Sequence, residues 1–228
     1  MKTLKISNII LIFLGFSFIT IIILKVFHAT IEPAFNAKNA KYSEIAIKNY
    51  KPFKHLVLNA YTLKTYEIKY GNEFKLEIFS HPRFTDKCNN WFIKDTLFVN
   101  IFNNELYTEC SNTPEIKITL PCSLNSITAR NISCNIKNIH QDTLNLYGTE
   151  GYTSFRVDNS KINTLNFNGK NSNLALFNKN DINELLYFNK GEFASLQIND
   201  LIIKKLIINT DSNSISLSGK AIDYYLNK

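Results

Sequence analysis

The strongest constraint on this chain is a recurrence in its second half. Leu144-Asn145-Leu146, Leu165-Asn166-Phe167, Leu186-Tyr187-Phe188 and Leu206-Ile207-Ile208 follow one another at spacings of 21, 21 and 20 residues. Midway between them lie Phe155-Arg156-Val157, Leu174-Ala175-Leu176, Leu196-Gln197-Ile198 and Ile215-Ser216-Leu217, each again apolar-x-apolar. A repeat of this length holds two short strands and two turns, and is too short for a strand and a helix with their connections. One such unit cannot bury its apolar side alone, whereas four or more, stacked and paired backbone to backbone, share a continuous core. The recurrence therefore predicts an all-β fold: a single-stranded β-helix, or β-solenoid, with rungs of 20–21 residues. Asn168, Asn189 and Asn209 follow three of the triplets. They read as a stacked structural Asn ladder, since Asn tolerates left-handed backbone and bonds its own chain locally.

The same alternation runs upstream. Leu56-Val57-Leu58, Thr65-Tyr66-Glu67-Ile68, Phe74 to Ile78, Thr96 to Ile101 and Glu115 to Leu120 read as strands, with a turn at Tyr70-Gly71-Asn72 and a stop at Pro121. Leu124 to Ile136 reads as an early, less regular rung, and no helical periodicity follows the N-terminal segment. One domain is expected over residues 53–228. Residues 28–52 are polar and carry Pro33 and Pro52, which suits a stalk with a short helix or strand near Tyr42 to Ile47.

Residues 6–24 carry no charge and are bracketed by Lys5 and Lys25. The length is close to the roughly 20 residues that span a bilayer. A cleaved signal peptide ends in small residues, but the exit here is Lys25-Val26-Phe27-His28. The segment reads as an uncleaved signal anchor, with residues 1–27 forming a cytoplasmic tail and one transmembrane helix. Lysines lie on both sides, so the positive-inside rule is nearly balanced. The remainder of the chain reads as extracytoplasmic and is placed outside the cytoplasm, periplasmic or extracellular.

The formal charge is +7, yet residues up to Lys54 account for all but about one unit of it. The folded part is nearly neutral overall, which argues against nucleic acid as a partner. Hydrophobic residues at 45% are ample for a packed core, so global disorder is excluded.

Taken in order, Phe53 to Leu58, Tyr66-Glu67-Ile68, Tyr70-Gly71-Asn72, Leu76-Glu77-Ile78, Asp95-Thr96-Leu97-Phe98-Val99 and Ile116 to Pro121 with Leu124 and Ile127 precede the rungs. This series resembles the head GIN domain family of auto-transporter adhesins over about residues 53–222. The family's rungs favour Gly-Ser at the turn; here Gly148 and Gly169 hold the Gly position, Gly191 is shifted, and Asn stands elsewhere. The resemblance implies a β-helical envelope domain with an adhesion role, and it supplies no catalytic residue to carry over.

Four cysteines, Cys88, Cys110, Cys122 and Cys134, show no CxxC spacing and no His at zinc-finger distance. Outside the cytoplasm they can form two disulfides in any of three pairings, of which Cys88–Cys110 with Cys122–Cys134 is the most local; four buried thiols is the equal alternative. Asp158, Asp181 and Asp200 are the best carboxylates for a groove enzyme on such a scaffold, but their unequal offsets from the preceding strands suit turn caps. No nucleophile elbow, phosphate loop or metal motif occurs, so no catalytic residue, metal ligand or cofactor is expected. Trp91, with Phe92, is expected to close an end of the core, with sugar stacking as its other use. Tyr147 and Tyr152 are candidate contact aromatics.

These features point to a membrane-anchored, non-catalytic envelope protein at the inner membrane. It would hold the bilayer through residues 6–24 and meet an envelope protein or glycan through the solenoid. A carbohydrate-active enzyme on a β-helix and a structural partner in a membrane complex are the alternatives.

Overall fold

Alternating apolar residues become strands when each can send one side chain in two toward a common core. In the computed structural model this holds from His55 onward. The structure describes residues 19–22, 25, 42–45, 52–79, 88–101, 116–149, 152–177, 179–211 and 214–226. Residues 41–106 with 112–228 form one unit, and residues 1–40 with 107–111 another. Of the latter, Ile19 to Ile22 and Lys25 are helical, with Ile19, Ile21 and Ile22 exposed. The rest of the expected anchor lies outside the described residues. Among the described residues no helix is long and apolar enough to cross a membrane.

Among the described residues the larger unit holds fifteen strands: β1 (Tyr42–Ile45), β2 (His55–Tyr70), β3 (Lys75–Phe79), β4 (Cys88–Ile93), β5 (Thr96–Ile101), β6 (Ile116–Leu120), β7 (Ser126–Lys137), β8 (His140–Thr149), β9 (Thr153–Asp158), β10 (Lys161–Lys170), β11 (Ser172–Leu176), β12 (Asp181–Lys190), β13 (Ser195–Asn199), β14 (Lys205–Thr210) and β15 (Ile215–Ser218). They follow two parallel runs. One passes from β5 through the first half of β2 and of β7 to β8, β10, β12 and β14. The other passes from β6 through the second halves of β2 and β7 to β9, β11, β13 and β15. Each rung thus contributes to both runs, as the recurrence requires, and the fold is all-β and solenoid-like. At the start of the stack the plan changes. β4 pairs antiparallel with β5, β3 antiparallel with β6, and β1 antiparallel with β3. Tyr42–Ile45, assigned to the stalk from sequence, therefore joins the sheet.

The core is a set of columns. Leu144, Leu165, Leu185 and Leu206 lie side by side, as do Leu146, Phe167, Tyr187 and Ile208. Phe167 and Tyr187 stack with centroids 5.1 Å apart and planes 7° apart, while Phe155 meets Phe167 edge-on at 5.9 Å. This register corrects the third triplet by one residue. Leu185-Leu186-Tyr187 stands in the rung, not Leu186-Tyr187-Phe188, and the spacings are 21, 20 and 21. A one-residue slip reverses every side chain in a strand. Phe188 consequently faces outward and Asn189 inward.

The Asn ladder falls with the same correction. Asn168 pairs with Phe188, Asn189 with Gly169, and Phe188 with Asn209, so Asn168, Asn189 and Asn209 do not form one column. Asn189 is fully buried and donates through Nδ2 to Ser172 O at 2.5 Å and to the Tyr187 hydroxyl at 2.7 Å. The glycines explain how it fits. A Cβ on Gly169 would come within 2.7 Å of Asn189 Oδ1, and one on Gly148 within 2.6 Å of Ser172 Cβ. Other Asn residues turn the corners. Asn131 and Asn171 (φ 56° and 53°) leave the first run of strands, and Asn138 and Asn159 (56° and 49°) leave the second. These are the left-handed positions that Asn accepts at least cost after Gly. Gly191, at φ 104°, is a first-run corner as well.

Cys134 is a fully buried free thiol inside β7. Two disulfides need all four cysteines, so that framework is not formed. Cys122 Sγ instead lies 3.8 Å from Phe53 O. Cys110 and the Cys88 side chain lie outside the described residues. Burial drives the Cys134 thiol pKa far above its ordinary value. At the other end, a helix over Lys220–Leu226, too short to show a period in the sequence, follows the last rung. Its Tyr225 hydroxyl donates to Ile203 O at 2.6 Å and accepts from Ile203 N at 3.0 Å, and its Ala221 is buried in the core.

Candidate functional site

The three aspartates do not converge. Asp158 ends β9 opposite Lys137, and Asp181 opens β12 with its carboxylate 3.7 Å from Lys161 Nζ. Asp200 sits in a left-handed corner (φ 52°) and accepts a hydrogen bond from Lys220 N at 3.1 Å, at the start of the C-terminal helix. Asp200 caps the start of the helix and Asp181 pairs with a lysine, so the groove enzyme loses its carboxylates. Among the described residues no group of three or more His, Cys, Asp or Glu could hold a metal ion.

Two open grooves lie among the described residues. The first, about 340 Å³, follows the start of β8, β10 and β12 and includes His140, Asp142, Lys161, Asn163, Asp181 and Asn183. Within it Lys161 faces Asp181, and Asn183 Nδ2 donates to Asn163 Oδ1 at 2.8 Å. The second, about 400 Å³, lies on the outside of the first run of strands. Arg130, Tyr147, Thr149, Asn168 and Lys170 line it, over the backbone of Gly148 and Gly169.

This second groove belongs to a longer feature. Cross-strand pairing places Trp91, Phe98, Val57, Thr128, Tyr147, Asn168, Phe188 and Asn209 side by side on successive strands. At about 4.8 Å per strand the column is roughly 34 Å long. Trp91 stacks flat on Phe98, centroids 5.2 Å apart and planes 3° apart. Tyr147 and Phe188 are 39% and 41% exposed, enough to present a ring face to a partner. Two residues along each strand, Arg130, Thr149, Lys170 and Lys190 form a parallel column. Along the two columns, residues 55–60, 96–101, 126–130, 145–149, 166–170, 186–190 and 207–210 contain no Asp or Glu; earlier on the same strands Asp142 and Asp181 line the first groove and Glu184 pairs with Lys205. On the outside of the second run, Lys137 Nζ contacts Glu67 at 2.8 Å, and Arg156 lies 4.0 Å over the Phe177 ring.

The expected contact aromatics are thus separated. Trp91 and Tyr147 share the outward column, so Trp91 does not close the core; Phe92, its neighbour, does, 5.9 Å from Phe53. Tyr152, 79% exposed, stands apart at the corner between β8 and β9. Phe188, Arg130, Lys170 and Lys190 were not singled out from sequence. The lysines needed the register, and Phe188 was assigned to the core by the one-residue slip.

No family model matches the chain, and no curated protein matches it. The resemblance to the head GIN domain family accordingly rests on the residue spacing given above. Among solved structures, the chain is similar to a candidate adhesin from Bacteroides fragilis, at 12% identity over 78% of this chain and 96% of that one, TM-score 0.43. It is also similar to a candidate cell adhesion protein from Clostridium sporogenes, at 11% identity over 78% and 98%, TM-score 0.39. A candidate lipid binding protein from Parabacteroides distasonis matches at 10% identity over 78% and 94%, TM-score 0.32.

Proposed function

We propose that this chain is a non-catalytic envelope protein, held in the inner membrane by residues 6–24, that presents its solenoid outside the cytoplasm for adhesion. The observation that carries the reading is the outward column on the first run of strands. A soluble domain with no partner has little reason to display Trp91, Tyr147 and Phe188 in one line bordered by cations. The uncharged run between Lys5 and Lys25 supports the anchor. The pairing of Asp181 with Lys161 and the separation of Asp158 and Asp200 from it speak against a groove enzyme built on these three carboxylates.

The test is protease accessibility of a C-terminal tag in intact cells and in spheroplasts, with blotting for size. Digestion only after the outer barrier opens, at unprocessed length, is expected. Protection in both preparations would place the domain in the cytoplasm and end the adhesion reading.

A further inference from the structure

We infer that the outward face of the first run of strands binds an acidic polysaccharide, laid along the stacking axis over the Tyr147–Asn168–Phe188–Asn209 column. The inference rests on the adhesion reading and names the partner class for that face.

Three observations lead to it. The first is the repeat of the column. Tyr147 and Phe188 stand two strands apart, about 10 Å, with Asn168 between them. A polymer that stacks on both must offer flat apolar faces at alternate units of an extended chain. Pyranose rings do so through their C–H faces. The second is the state of the amides. Elsewhere on the solenoid Asn side chains bond to one another along the rungs, as Asn166 does to Asn145 and Asn183 to Asn163, each at 2.8 Å. In this column the neighbours are Tyr147 and Phe188, so Asn168 and Asn209 have no side-chain partner among the described residues and are exposed. Each offers two donors and an acceptor, the complement of sugar hydroxyls. The third is charge. Arg130, Lys170 and Lys190 run beside the rings, and Glu184 of β12 is paired with Lys205 of β14. Arg130 and Lys170 are two strands apart, about 10 Å, and Lys190 stands one strand beyond Lys170, about 5 Å. A polymer with one carboxylate every unit or two matches that density. A nucleic acid strand, charged at about every 3.4 Å, demands more cations than the face carries.

The experiment uses the full chain in detergent, hyaluronate and polygalacturonate as probes, and dextran as the neutral control, measured by titration calorimetry. Both acidic polymers are expected to bind, dextran far more weakly, with affinity falling as NaCl is raised. Tyr147→Ala with Phe188→Ala is expected to weaken binding about tenfold or more, from the loss of two ring faces. Lys170→Gln with Lys190→Gln is expected to flatten the salt dependence. Arg156→Gln, on the other run of strands, should change neither. All these side chains face outward, and unchanged circular dichroism shows that each variant folds. Equal binding by the aromatic variant, equal binding of dextran, or tighter binding of an oligothymidylate would each overturn the inference. Failure is separable from failure of the adhesion reading. An accessible domain that ignores both acidic polymers refutes only the ligand, whereas a cytoplasmic domain removes the reading beneath it.

Discussion

The glycine at 148 gives the sharpest test of how the rungs are packed. Gly148 lies in β8 with its missing side chain aimed at Ser172, the first residue of β11, which is fully buried. An added Cβ would stand 2.6 Å from Ser172 Cβ and nearer still to its hydroxyl. Ser172 Cβ is fixed by its backbone, so the clash cannot be relieved by a rotamer change. Overpacking of this kind costs about 1–3 kcal/mol, and the fixed backbone puts Gly148→Ala near the upper end. Ser172→Gly alone loses the hydrogen bond from its hydroxyl to Lys170 O, 3.1 Å long, and places a flexible residue in a strand. Those two effects sum to roughly 2 kcal/mol. Were the sites independent, the double variant would lose about 5 kcal/mol. With the methyl simply moved across the gap, the new Cβ keeps only Phe155, at 3.6 Å, which is ordinary contact. The double variant should then lose about 2 kcal/mol, a coupling of about 3 kcal/mol in favour of the pair. Urea midpoints for the four proteins read this directly. In thermal melts Gly148→Ala should fall by about 6–12 °C, and the double variant by no more than about 8 °C. Additive losses would falsify the view that Ser172 is what keeps position 148 empty.

Three further outcomes follow from the same structure. Phe167→Ala, which empties a buried stack, should cost about 3–5 kcal/mol in urea unfolding, whereas Phe188→Ala on the outside should change stability by less than about 0.5 kcal/mol; equal losses would refute the register. Cys134 should resist iodoacetamide in the folded chain and react once it unfolds. Its folded pKa is raised, so above the ordinary value of 9.0 the unfolded thiol ionises while the folded one stays protonated, and stability should fall as pH rises through that value. A Cys134→Ala variant should lack that part of the pH slope. Tyr225→Phe removes both hydrogen bonds to Ile203 and should cost about 1–2 kcal/mol, seen as faster amide exchange over residues 203–210 than over residues 161–170.

The sequence carried the architecture because stacking imposes a period. A rung length of 20–21 residues follows from two strands and two corners, and the apolar-x-apolar spacing marked nearly every strand of the later rungs. The frame failed at one place for a definite reason. Residues 185–188 read Leu-Leu-Tyr-Phe, four apolar side chains in a row, so both faces of the strand look like core. What decides between them is not hydrophobicity. Asn189 has a buried acceptor in Ser172 O, and Gly169 leaves the room for it. Neither contact is visible without the register. The corners show the same limit: Asn was the right residue type, but the positions are Asn131, Asn138, Asn159 and Asn171. The binding face was legible only through Trp91 and Tyr147. Its cations Arg130 and Lys170 lie forty residues apart in sequence and come to about 10 Å of one another only when rungs stack.

The stack also has a mechanical meaning. Its inter-rung hydrogen bonds lie along the line joining the first rungs to the last, and β14 and β15 each have a single strand neighbour. The core residues of that last rung, Leu206, Ile208 and Leu217, are only partly buried. A load drawn between an anchored N-terminus and a tethered far end would open these bonds in sequence, as a zipper does, instead of shearing many at once. Each rung released would add about 70 Å of slack, from some twenty residues at roughly 3.4 Å each. The domain would then yield in small repeated steps beginning at its C-terminal rung, and in a pulling experiment the force trace would be a sawtooth whose period reports the rung.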